Sequence, residues 1–243
     1  MPRDTAHKHT SKDGFLIKPG LVPVGEPARR VETGEPQFGK PVFINGIPMR
    51  SPVPEVAATC KGNLLIIGSA PCVRDDLKRF DKTHRGDRMA VNDPAMHYTG
   101  SLEHLVSMHH EYFHCWLDFR YGHNYGNGKR VMTHSYRAGS GVDVAWSILN
   151  VGGTSGLYAC MVGLALGYER IILAGMPMDN SGHYFDLAGP LTDFEHGNAI
   201  ATVWKESRNN YFKDRVRSLS GRTREWLGEP NAGWLGYAWP PKE

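Results

Sequence analysis

No apolar run in this sequence approaches the ~20 residues needed to cross a bilayer, which excludes a helical membrane span. The opening residues, MPRDTAHKHTSKDG, lack the apolar segment of a secretory leader, so a cytoplasmic setting is expected. Cysteine is scarce. Cys60, Cys72, Cys115 and Cys160 are scattered with no C-x-x-C pair, which argues against a disulfide framework or a zinc ribbon. Charge of one sign is lacking as well: 28 basic residues against 25 acidic ones leave a net +3, too even a balance to signal a nucleic-acid partner. Neither G-x-G-x-x-G nor a Walker A loop occurs.

What is present is an ordinary globular composition. The chain has 243 residues, 40% hydrophobic and 22% charged, enough for a sizeable core in one large domain or two small ones. Residues 1–60 stand apart. Pro2, Pro19, Pro23, Pro27, Pro36, Pro41, Pro48, Pro52 and Pro54 fall there, more than half of the 16 prolines. Proline removes backbone donors and pushes its predecessor out of the helical region, so an extended arm is expected. Within it, Val42-Phe43-Ile44, Asn45-Gly46 and Ile47-Pro48-Met49 read as a small hairpin with an Asn-Gly turn. Such an arm has too little apolar content to fold alone. It is expected to pack on the core or on a neighbouring copy, the latter being a route to a homo-oligomer.

Residues 61–243 are expected to form the main domain. Short apolar runs at Leu64–Ile67, Arg88–Val91, His104–Met108, Arg130–Thr133 and Arg170–Ala174 read as strands. The first and last end at Gly68 and Gly175, in the continuous apolar pattern of strands buried on both faces. Ser155–Leu166 (SGLYACMVGLAL) is apolar nearly all round and predicts a buried helix that stops at Gly167. Strand, helix and strand in that order give parallel β–α–β units and an α/β, doubly wound sheet.

Ligands of such sheets bind at the carboxyl ends of the strands. After the first strand comes Gly68-Ser69-Ala70-Pro71-Cys72, a small-residue loop that lets a phosphate approach backbone amides or simply makes a tight turn. Asn92-Asp93-Pro94 follows the second strand and reads equally as a turn. Gly152-Gly153-Thr154-Ser155-Gly156 precedes the buried helix. It offers free amides and hydroxyls to an anion or nucleobase, or plain capping by Thr154 or Ser155.

A competing motif is His110-Glu111-Tyr112-Phe113-His114, a literal H-E-x-x-H. On a helix His110 and His114 would share one face for zinc, with Glu111 as general base, and the chain would be a metallopeptidase. Its context is poor: it begins at the end of an expected strand, and Leu117 stands where the metzincin glycine belongs. A third reading, motivated by the arm, is a non-catalytic nucleotide-binding or assembly protein.

The segment TSGLYACMVGLALGYERIILAGMPMDNSGHYFD, Thr154 to Asp186, resembles the central part of the bacterial sialyltransferases that use CMP-sialic acid. The shared features are a T-S-G helix start, a small-residue helix ending A-L-G-Y, a strand, and a glycine followed by a loop that ends in tyrosine. The resemblance extends more weakly from Asn63 to about Tyr211, and related phage and prophage glycosyltransferase-like proteins look similar too. It implies a Rossmann-like variant of the GT-A glycosyltransferase fold. It also implies a nucleotide-sugar donor of CMP or UDP type, a glycan or other hydroxyl-bearing acceptor, and no cofactor beyond that co-substrate.

Position by position, the family's G-N-G-P-S loop matches Gly68-Ser69-Ala70-Pro71-Cys72, with Ser69 in place of the nucleotide-contacting asparagine. Asn92 matches a donor-contacting asparagine, and Thr154, Ser155 and Gly156 match the stretch that holds the nucleotide. Tyr184 matches one of two tyrosines that assist phosphate departure; the other position is Asp179 or Asn180. Pro177 replaces an aspartate. His196 matches the family's general base. Met108–Phe113 aligns with a wall of the donor pocket, which gives H-E-x-x-H a non-metal explanation. The D-x-D motif of metal-dependent glycosyltransferases is absent, in keeping with the metal-independent branch, in which tyrosine and backbone donors stabilise the departing phosphate.

Overall fold

A computed structural model of the chain describes residues 40–81, 86–149, 154–179, 181–184 and 197–236, with residues 197–199 as backbone only. The proline-rich residues 1–39 lie outside the described residues, as does His196.

The first described elements are β1 (Val42–Ile44) and β2 (Ile47–Met49), paired antiparallel with Ile44 opposite Ile47. Asn45 (φ 50°) and Gly46 (φ 86°) make the left-handed two-residue turn that an Asn-Gly pair favours. Ile47 and Met49 are fully buried, and Asn45 Nδ2 donates to the Leu164 carbonyl at 3.1 Å. The hairpin is therefore part of the core of the α/β body.

The main sheet begins with β3 (Asn63–Ile67), followed by α1 (Val73–Asp81), β4 (Asp87–Val91), α2 (Pro94–His97) and β5 (His104–Val106). A 3₁₀ turn, His110–Tyr112, leads into α3 (Phe113–Gly122), then β6 (Met132–Ser135) and β7 (Val144–Ala145). The second half holds α4 (Ser155–Leu166), β8 (Arg170–Ala174), α5 (Gly197–Ser207), β9 (Val216–Ser218), α6 (Gly221–Leu227) and α7 (Ala232–Leu235). A π turn, Arg208–Phe212, joins α5 to β9.

The strand order is β7-β6-β5-β4-β3-β8-β9, and every pairing in this sheet is parallel. From β3 the chain winds outward through β4 to β7, then returns to lay β8 on the other side of β3. The winding reverses there, at the junction of β3 and β8. Alternate strand residues feed two cores. Leu64, Ile66, Ile171 and Leu173 meet α4, whereas Leu65, Ile67, Ile172 and Ala174 pack with Val73 and Phe80 of α1 and Phe113 and Trp116 of α3. Every α4 residue from Gly156 to Leu166 is buried, as its unbroken apolar pattern predicts.

A buried polar chain crosses the β4–β6 side of the sheet. Trp146 Nε1 donates to His134 Nδ1 (3.0 Å), and His134 Nε2 lies 3.0 Å from His104 Nδ1. His104 Nε2 then meets the Tyr168 hydroxyl at 2.9 Å, and that hydroxyl donates to Asp87 Oδ2 at 2.5 Å. An indole can only donate and a carboxylate only accept, so each proton has one place: both imidazoles are neutral and protonated on Nε2. Burial agrees, holding His134 well below the ordinary histidine range and pulling His104 down to about 4. Among the described residues no helix is long and apolar enough to cross a membrane.

Candidate functional site

The reversal of winding opens a cleft of about 180 Å³ at the carboxyl ends of β3 and β8. Gly68, Ser69 and Ala70 after β3, Asn92 after β4, and Thr154, Ser155 and Gly156 at the start of α4 all line it. Three stretches far apart in sequence thus meet in one place. Pro71 does not line the cleft; it lies exposed at the turn into α1.

The two banks approach closely. Gly68 N donates to Ala174 O (2.8 Å) and Ala70 N to Gly175 O (3.1 Å). A Cβ on Gly68 would lie 2.5 Å from the Gly175 carbonyl oxygen, and one on Gly175, whose φ is 65°, would lie 2.6 Å from Val73 Cβ. Neither position accommodates a side chain without moving the opposite bank. Asp76, buried on α1, ties the banks together by accepting from Gly175 N (2.8 Å) and Ser220 Oγ (2.7 Å). Burial raises its pKa, a shift that these two hydrogen bonds oppose. Ser220 also lies 3.2 Å from the sulfur of Cys72, whose thiol burial pushes up to about 11, which disfavours the thiolate.

Polar groups face the cleft from three directions. Thr154 caps α4, its Oγ1 accepting from Leu157 N at 3.3 Å. The amides of Ser155 and Gly156 belong to the first helical turn and have no intrahelical acceptor, which suits an anion. Ser155 Oγ accepts from Met108 N (3.4 Å), holding the helix start against the loop after β5. Asn92 sits at φ 64°, a left-handed conformation that asparagine tolerates. Ser107 Oγ donates to Asn92 Oδ1 at 2.7 Å, so the side chain's Nδ2 is the donor left to present to a ligand.

The remaining wall is the loop after β8, including Met176, Pro177, Met178, Asp179, Ser181, Gly182 and His183. It folds back over Ser69: Tyr184 N donates to Ser69 O (2.8 Å), and Ser69 Oγ contacts His183 Nδ1 at 2.5 Å. The Tyr184 ring does not line this cleft. It lines an adjoining cavity of about 450 Å³ that shares Gly68 with the first, and it packs edge-on to His97 with ring centres 5.3 Å apart. Burial, and then the nearby Asp93 carboxylate, raise the Tyr184 pKa, so the phenol stays protonated as a donor. Asn180 and Asp186 lie with His196 outside the described residues.

The H-E-x-x-H residues do not share one regular helix. His110 and Glu111 sit in the 3₁₀ turn, and His114 follows in α3. The His110 ring packs under Gly139, and exposed His114 contacts Cys115 Sγ at 3.2 Å. Among the described residues no three His, Cys, Asp or Glu side chains gather as a metal would require.

The lining residues that sequence reasoning left unassigned include Val91, Met176, Met178, Ser181, Gly182 and His183. Their only signal was position, since Val91 ends β4 and the others lie in the loop that follows β8.

No family model matches this chain, and no curated protein matches it. Among solved structures, it is similar to the sialyltransferase CstII from Campylobacter jejuni in complex with the substrate analogue cytidine-5'-monophosphate. The identity is 16% and the TM-score 0.48, over 69% of this chain and 84% of that one. It is also similar to CST-II in complex with a trisaccharide acceptor and CMP, at 15% identity and a TM-score of 0.45, over 69% and 85% of the two chains.

Proposed function

We propose that this chain is a metal-independent glycosyltransferase that uses a nucleotide-sugar donor of CMP or UDP type. The observation that carries the reading is the convergence of Gly68, Ser69, Ala70, Asn92, Thr154, Ser155 and Gly156 on one cleft at the reversal of the sheet. Those residues supply what a nucleotide needs: an amide donor at Asn92, first-turn N–H groups for phosphate, and small side chains that let the backbone come close.

In the proposed reaction the acceptor hydroxyl oxygen attacks the anomeric carbon of the donor. A new C–O bond forms, the bond to the phosphate oxygen breaks, and the hydroxyl proton passes to a histidine. The resemblance in sequence assigns that proton to His196. Tyr184, kept protonated by burial, is assigned to the departing phosphate together with the amides of Ser155 and Gly156. Nucleotide and sugar are co-substrates, and the mechanism calls for no resident cofactor.

The test is calorimetric titration of CMP, UMP, UDP and AMP into the protein and into Asn92→Ala. Binding of a pyrimidine nucleotide, weakened roughly 10-fold or more in the variant, is the expected result; that corresponds to about 1.4 kcal/mol, the scale of one hydrogen bond to a ligand. Failure of every nucleotide to bind at millimolar concentration would remove the basis of the reading.

A further inference from the structure

At the amino ends of β8 and β9, opposite to the ends that form the nucleotide cleft, lies another cavity, of about 480 Å³. Arg170 opens β8, Lys213 and Arg215 stand just before β9, and Arg217 lies within it. All four line the cavity, against two carboxylates, Glu169 and Asp214. The charges are unevenly paired. Asp214 Oδ1 is taken by Arg217 Nη2 at 3.1 Å, and Glu169 lies 4.0 Å from Arg170. Lys213 and Arg215 have no carboxylate partner among the described residues.

Arg215 is a fixed cation. Its Nη2 donates to the carbonyls of Asn45 (2.7 Å) and Tyr211 (3.0 Å), and its Nε to that of Phe212 (3.3 Å). These neutral acceptors hold the guanidinium without cancelling its charge, and burial lowers its pKa with no anion opposing the shift. Lys213 is exposed, with its backbone at φ 45° and that of Asp214 at φ 62°. Two consecutive non-glycine residues in the left-handed region are strained, and such strain persists where the surroundings fix it. Here the Trp234 indole does so, donating from Nε1 to the Asp214 carbonyl at 2.6 Å. The guanidinium carbons of Arg217 and Arg170 lie 5.0 and 5.9 Å from the centre of that ring.

Two uncompensated cations held in one concave site suit an anion of more than one charge, and the volume is in the range of small-molecule sites. We infer that this cavity binds a small soluble ligand carrying two linked phosphate groups, which Lys213 and Arg215 recognise. Its concavity favours a small ligand over a lipid surface, because half-buried Arg215 is out of reach of a flat bilayer. The site does not depend on the glycosyl-transfer reading, since it lies at the other ends of the strands.

The experiment is calorimetric titration of inorganic diphosphate, orthophosphate and sulfate into the full chain, Lys213→Asn and Lys213→Arg. Asparagine tolerates the left-handed backbone, so the first variant should lose the charge and keep the turn. The expected result is diphosphate binding roughly 10-fold or more tighter than either single anion, weakened roughly 10-fold in Lys213→Asn and restored in Lys213→Arg. Diphosphate can also meet the first-turn amides of α4, so CMP is titrated with and without saturating diphosphate. Equal CMP affinity in both is expected. Diphosphate that competes with CMP, that binds Lys213→Asn equally or that is matched by orthophosphate would overturn the inference. So would binding to phosphatidylglycerol vesicles with none to diphosphate. A chain that takes diphosphate through Lys213 but no nucleotide keeps this site and loses the nucleotide reading.

Discussion

The carboxylate of Asp76 accepts the backbone N–H of Gly175 at 2.8 Å, joining the helix after the first strand of the sheet to the end of the strand beside it. Replacing Asp76 with alanine leaves that buried donor unmet and releases Ser220 as well. Each orphaned group costs about 1–3 kcal/mol, so Asp76→Ala should lower the urea midpoint markedly and weaken nucleotide binding. Asp75→Ala, one residue away and, among the described residues, paired with exposed Lys78, should change stability by less than about 1 kcal/mol. Equal effects of the two substitutions would show that Asp76 does not clamp the banks.

Gly68→Ala should damage binding more than its small volume suggests. The added Cβ would lie 2.5 Å from the Gly175 carbonyl oxygen, so one bank must move. Overpacking of this kind costs about 1–3 kcal/mol in stability, and nucleotide affinity should fall with it. Unchanged affinity in a stably folded variant would mean that the loop after β3 does not form the binding surface.

Stability should depend on acid through the two buried histidines. Their pKa values in the folded chain lie below the ordinary value of about 6.5, His104 at about 4 and His134 also well below the ordinary range. For His104, burial outweighs the opposing pull of Asp87 and Glu103, and Lys129 adds to the lowering. The unfolded chain therefore binds protons that the folded chain refuses. Their stabilising effect is complete above about pH 6.5 and is lost as pH falls towards 4 and below, by up to about 1.4 kcal/mol per pH unit for each histidine. Urea unfolding at several pH values checks this, and a flat profile between pH 6.5 and 4 would contradict it.

His196→Ala should abolish transfer while donor affinity stays nearly the same. Loss of a general base costs 10²–10⁴-fold in rate, about 3–5 kcal/mol. The comparison variant is His183→Ala, because among the described residues His183 is the histidine that lines the cleft, with Nδ1 2.5 Å from Ser69 Oγ. If His183→Ala loses turnover and His196→Ala does not, the proton goes to His183.

Transfer should survive EDTA. Loss of activity on chelation, with recovery on adding a divalent metal, would replace the metal-independent mechanism.

The parts of the fold written in apolar residues were legible from sequence alone. Arg170–Ala174 and Ser155–Leu166 have the expected bounds because their burial on all sides leaves a continuous hydrophobic record. The sixth strand was harder. The sequence predicts it over Arg130–Thr133, but it runs Met132–Ser135, because Thr133, His134 and Ser135 are buried polar residues. Thr133 bonds to Asp143 and Gly141, His134 to Trp146, and Ser135 to the Ser107 carbonyl. Partners from distant segments satisfy these groups, so hydropathy cannot reveal them. Val144–Ala145 and Val216–Ser218 were too short to leave a period. At the candidate site, the loops could be read because small residues and helix starts have recognisable chemistry. Separating Tyr184 from the cleft it was expected to join required the backbone crossing at Ser69, which no local pattern encodes.

The Asp76–Gly175 clamp spans 99 residues of chain. During synthesis the first bank emerges long before the strand that completes the second. Until that strand arrives, β3 is an open sheet edge whose apolar residues await a partner. Nucleotide can act only after the gap is filled, so it should leave the folding rate unchanged and slow unfolding instead. In this architecture a bound nucleotide would work as a latch on the strand that fills the gap.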